Sequence, residues 1–146
     1  MEPHANLHKE LDIIQSIINR MANNSFLVKG WAMTLVSGLL AFGKDVILAD
    51  KSGVYYLIMM LGILIPFWWL DAYYLKQERA FRKLYDNAIR DPQAKERLQY
   101  SLNPQGIQKE IKGTTATMMT GAVSYFYIPL LLLITGGIIM KLAGKL

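Results

Sequence analysis

The sequence predicts an all-α integral membrane protein. It has three transmembrane helices, an amphipathic helix ahead of the first, and a helical cytoplasmic insertion between spans two and three. Three observations carry this expectation. Of 146 residues, 53% are hydrophobic and only 18% charged, a balance too apolar for an ordinary small soluble domain. The apolar residues come in blocks, not stripes. The charges gather between the blocks.

Three runs carry no charge: 30–43, 52–70 and 113–140. A helix needs about 20 apolar residues to cross a hydrocarbon core of about 30 Å. The second and third runs meet this comfortably. The first does so if Lys29 lies at the interface and extends its ammonium toward headgroups; a re-entrant or interfacial segment is the alternative. Spans are therefore predicted near 25–43, 53–70 and 121–142, dividing the chain into 1–24, 25–70, 71–112 and 113–146. The first 25 residues hold Glu2, Glu10 and Asp12 and lack a basic-then-apolar start, so the first span is expected to stay in the mature protein.

Orientation follows from Lys and Arg. The N-terminal segment and the stretch between spans two and three hold Lys9, Arg20, Lys29, Lys76, Arg79, Arg82, Lys83, Arg90, Lys95, Arg97, Lys109 and Lys112. The first loop and the C-terminus hold only Lys44, Lys51, Lys141 and Lys145. Twelve against four places the N-terminus and 71–112 in the cytoplasm and the C-terminus in the periplasm of a bacterial inner-membrane protein.

Along the N-terminal segment, Leu7, Leu11, Ile14, Ile18 and Met21 are spaced four-three-four-three, an amphipathic helix with a seam too short for a coiled coil. After the second span nothing breaks a helix until Asp91-Pro92. One helix is expected from about 53 to 90, bent near Pro66, leaving the bilayer near Trp68-Trp69 and projecting about 30 Å beyond it. Its stripe is Leu70, Tyr74, Phe81, Leu84 and Ala88, with Glu78 and Arg82 an i,i+4 pair. Asp91-Pro92 reads as the start of a short helix carrying Ala94 and Leu98, and Asn103-Pro104 repeats the signal. Ile107 and Ile111 then lead back to the membrane.

Lys29 and Asp71 fall at similar depth on neighbouring spans, so they pair across helices or extend separately to water. Lys76, Arg79, Lys83 and Arg90, with Arg82 beside them, interleave with Tyr74, Phe81 and Tyr85. Cations that hold phosphates next to rings that stack bases suit a nucleotide or single-stranded oligonucleotide. Anionic headgroups suit the part nearest the bilayer. The plainer reading is a positive-inside flank with packed aromatics. Thr114, Thr117, Gly121 and Ser124 share one face at helical spacing, which serves close packing or lines a wet opening. His4 and His8 lack a third ligand, and the chain has no cysteine, so no metal site or cofactor is expected. No charge falls mid-span and no catalytic motif is present, which argues against a proton-coupled transporter and against an enzyme.

Phe67-Trp68, Leu70-Asp71, Tyr73-Tyr74-Leu75, Glu78-Arg79, Phe81-Arg82 and Leu84-Tyr85-Asp86, together with the run IQSIINRMANNSFLVKGW at 14–31, resemble a family of small bacterial membrane proteins. That family belongs to anti-phage defence and includes the channel subunit of the Hailong system. The resemblance covers about 40 residues and otherwise only the pattern of spans. It implies a homo-oligomeric ion channel whose cytoplasmic part responds to a nucleotide-derived or oligodeoxynucleotide signal made by a partner nucleotidyltransferase. Three spans of one subunit cannot enclose an aqueous path, so a pore requires several copies, expected to be four. The competing expectation is a non-conducting scaffold that docks a soluble partner on the seam and the aromatic stripe.

Overall fold

A computed structural model describes residues 3–90, 102, 105–108 and 110–144. Every regular element among them is helical: α1 (Pro3–Phe42), α2 (Lys44–Leu48), α3 (Asp50–Arg90), α4 (Gln105–Gln108), α5 (Thr114–Met118) and α6 (Gly121–Leu142). The expected short helix at Ala94 and Leu98 and the turn at Asn103-Pro104 lie outside the described residues.

Two helices dominate. The amphipathic segment and the first span are one continuous helix of 40 residues, and α3 runs for 41 residues with Pro66 inside it. At 1.5 Å per residue each is about 60 Å long, twice a hydrocarbon core. No proline interrupts α1 after Pro3, so nothing local stops the helix where the apolar run begins. The two lie antiparallel, joined by α2. Every other helix packs against α3.

The register of the hairpin is read from Lys29 against Asp71 and from the Tyr56 hydroxyl, which donates to the Leu39 carbonyl at 2.9 Å. The core follows helical spacing on three helices: Ala32 and Val36 on α1; Leu57, Met60, Leu64, Trp68 and Ala72 on α3; Val123, Tyr127 and Ile134 on α6. Large apolar side chains also cover the outside. They begin at Phe26 on α1, end at Tyr73 on α3 apart from Ile89, and run from Tyr125 to Leu142 on α6; Phe42 is 92% and Tyr125 83% exposed. Soluble proteins do not leave such a belt in water. Three helices are long and apolar enough to cross a membrane, which suggests a multi-pass membrane protein.

Beyond the belt α1 and α3 continue as a two-helix rod. Its interior is formed by Glu10, Ile14 and Ile18 from α1 and by Ala72, Ala80 and Ala88 from α3. Of the expected α1 seam, Ile14 and Ile18 are buried while Leu7, Leu11 and Met21 are half-buried; Glu10 takes an inner place. On α3, Ala88 is buried as expected, but Leu70, Tyr74, Phe81 and Leu84 are only half-buried. The alanines of α3 are fully enclosed, and larger side chains beside them stay half-buried.

Candidate functional site

At the end of the belt nearer the N-terminus of α1 three polar side chains meet. The Lys29 ammonium donates to Asp71 Oδ1 at 2.7 Å and to Ser25 Oγ at 2.9 Å, and the Ser25 hydroxyl donates to the same carboxylate. Lys29 Nζ is also 2.7 Å from Asp71 Oδ2, which receives charge contact but no aimed hydrogen bond. The Asp71 side chain is 0% and that of Lys29 24% exposed. One turn separates Ser25 from Lys29 on α1, so both reach the single aspartate on α3. Ser25 was not anticipated. Its signal was the i,i+4 spacing to a lysine already suspected of pairing.

The paired indoles part company. Trp68 is buried, stacks on Tyr127 and donates its Nε1 to the Met118 carbonyl at 3.2 Å. Trp69 faces out, stacked on Tyr73. Thus only one of the two is an outward aromatic.

The supposed hydroxyl face of the third span is broken at Met119–Thr120, where α5 ends and α6 begins. Thr117 is fully buried, its hydroxyl donating to the carbonyls of Gly113 at 3.0 Å and Lys112 at 3.4 Å. Ser124 is buried and donates to the Thr120 carbonyl at 2.9 Å. Both are turned into the fold with their donors satisfied. Thr114 and Gly121 are half-buried. The shared spacing presumed one unbroken helix; the turn at Thr120, whose own hydroxyl donates to the Thr117 carbonyl at 2.7 Å, ends it.

On the rod, Lys76, Arg79 and Lys83 are half-buried, and Arg82 and Arg90 exposed. Lys76, Arg79, Lys83 and Arg90 do not share a face with the rings, whereas Arg82 is three residues from Tyr85 and lies between the two sides. Tyr74 and Lys76, Arg79 and Phe81, and Lys83 and Tyr85 are each two residues apart, about 200° around a helix. Interleaving in sequence therefore separates them in space. Lys76, Arg79, Lys83 and Arg90, three, four and seven apart, do form one stripe. Arg82 lies beside it and is held by Glu78 at 2.8 Å. Lys83 forms an ion pair with Glu110.

That ion pair locates the returning chain. Glu110 is anchored at Lys83 and Met118 at Trp68. Fifteen residues of α3 rise about 22 Å; the four steps from 110 to 114 and the helical 114–118 span about 20 Å, and the long Lys83 and Glu110 side chains cover the rest. The segment runs back along the cationic side of α3, past the levels of Arg79 and Lys76. Among the described residues no group of three metal-ligating side chains converges, and the His4 side chain lies outside them. Comparison with protein families, with curated proteins and with solved structures finds no match to this chain.

Proposed function

We propose that this chain is a homo-oligomeric ion channel of the bacterial inner membrane, an effector of anti-phage defence whose cytoplasmic rod takes a nucleotide or oligodeoxynucleotide made by a partner nucleotidyltransferase. The observation that carries the reading is the continuity of α3, which passes unbroken from an apolar span into a stripe of cations. A ligand on that stripe acts on the same rigid element that forms the wall of the span. The N-terminus and rod are cytoplasmic on the lysine and arginine count, and the resemblance of 14–31 and 67–86 supplies the defence context.

In this reading Lys76, Arg79, Lys83 and Arg90 take phosphates. Tyr74, Phe81 and Tyr85 sit on the other side of α3 and are left for packing or for a neighbouring copy. Thr114 and the turn at Thr120 line the inner mouth, and bulky residues farther along form a gate that opens by wetting. The ligand changes conductance only as far as it binds open and closed states differently.

Purified protein in planar bilayers, with and without single-stranded oligodeoxynucleotide, tests this. Current that responds to the oligonucleotide, and a loss of both binding and response in Arg79→Glu/Lys83→Glu, are expected. Unchanged binding by that double variant rejects the site. Silence of the bilayer under every condition favours a non-conducting scaffold, a reading supported by the wholly apolar outer surface of α6 at Ile128, Leu132, Leu133 and Ile139.

A further inference from the structure

We propose that the 110–118 segment is a strap across the phosphate-taking side of α3, with the Glu110 carboxylate standing as an internal competitor for Lys83; a polyanion that occupies the stripe lifts the free end of the strap from α3. This rests on the reading of the stripe as a ligand surface and adds what competes for it within the chain.

The strap has two fastenings of different strength. At its far end the Lys83 and Glu110 side chains are 42% and 61% accessible. A pair this exposed is worth at most about a five-fold shift in an equilibrium. At its near end Thr117 is fully buried, Met118 packs against the core and the Trp68 indole holds the Met118 carbonyl at 3.2 Å. Pulling on the weak end therefore leaves the strong end attached. Between these two levels on α3 lie Lys76 and Arg79, both half-buried. A ligand carrying several phosphates gains Lys83, Arg79 and Lys76 together only by displacing Glu110. Glu110 lies three residues before Gly113, which precedes α5, and the turn at Met119–Thr120 follows it. Displacement of the weak end is thus confined to the stretch before Thr117, while the buried end stays on Trp68. Weakness is what makes the contact exchangeable.

The test uses full-length protein in nanodiscs and a fluorescein-labelled oligodeoxythymidylate of about 12 nucleotides. The chain has no cysteine, so spin labels at Asn87→Cys and Lys112→Cys report the distance between α3 and the strap. Glu110→Gln is expected to bind the probe two- to five-fold more tightly than the parent and to show, without probe, the longer distance that the parent adopts only with it. Asp86→Asn removes the same charge from an exposed acid one turn along α3 and outside the ion pair. It is expected to leave the distance unchanged and to tighten binding clearly less. Equal tightening in the two variants overturns the competition. A parent that binds the probe with no change in distance overturns the strap while leaving the ligand surface intact. A parent that does not bind the probe removes the ligand surface and the strap with it.

Discussion

The Lys29 ammonium lies 2.7 Å from both carboxylate oxygens of Asp71, across the seam between α1 and α3 and level with the end of the exposed apolar belt that begins at Phe26. Phe26 and Tyr73, the last outward apolar residues of that belt on the two helices, flank the pair in sequence. A fully buried carboxylate at such a depth costs several kcal/mol unless matched. The lysine and the Ser25 hydroxyl together match it. Because the partners sit on antiparallel helices, they also fix the register of the hairpin: a slip of one turn would strand the aspartate.

Lys29→Met is accordingly expected to destabilise the protein by about 3 kcal/mol, the lower end for a broken buried pair, because Lys29 is partly exposed. Lys29→Met/Asp71→Asn should recover most of the loss. Thermal melting in detergent, followed by retention of the monodisperse peak, measures both. A double variant as unstable as the sum of the two singles would show that the residues are not coupled.

The rod between α1 and α3 depends on its enclosed alanines. Ala80→Leu and Ala88→Leu should each cost about 1–3 kcal/mol by forcing the helices apart, whereas Asp86→Ala, on the exposed side, should lie within about 0.5 kcal/mol of the parent. Unfolding free energies that rank the three differently would place the seam elsewhere.

Glycine acts at the α1–α2–α3 turns through space. A β-carbon on Gly53 would collide with the Ile47 carbonyl, and one on Gly43 with the Tyr56 ring and the Leu39 carbonyl; one on Gly38 meets nothing within 4 Å. Gly53→Ala and Gly43→Ala should lower the melting temperature, while Gly38→Ala should leave it unchanged or raise it slightly, since alanine is favoured within a helix by about 1 kcal/mol. Equal behaviour of the three would contradict the tight turn.

Trp68→Phe leaves the stack on Tyr127 largely in place but orphans the Met118 carbonyl. The expected loss is about 1 kcal/mol, accompanied by faster maleimide labelling of Met119→Cys at the helix break. Labelling that stays at the parental rate would mean that the indole does not hold the segment.

Topology has its own measurement. With no native cysteine to interfere, a membrane-impermeant maleimide should label Lys44→Cys in intact cells with a permeable outer membrane, and Asn87→Cys only after the inner membrane is opened. The reverse pattern would turn the rod outward and remove the proposed cytoplasmic ligand surface.

How much was legible beforehand depends on whether a property is local. The sequence by itself determined the three apolar runs and the reach of α3 to Arg90. Apolar runs without charge define what can enter lipid, and the lack of a breaker before Asp91 lets α3 continue past the belt, because each helical hydrogen bond needs only a residue four positions away. What only the tertiary structure decided is who meets whom. Glu10 and Ser25 are buried because a second helix covers them, Thr117 and Ser124 turn inward because the turn at Thr120 divides their helix, and Lys83 finds Glu110 27 positions farther along the chain. Aromatic and basic residues that alternate in sequence proved to lie on opposite sides of α3, since two residues of helix are more than half a turn. Periodicity gives each helix a face; only the packing of α1, the strap and α6 around α3 selects which part of that face is buried, because burial is a property of pairs.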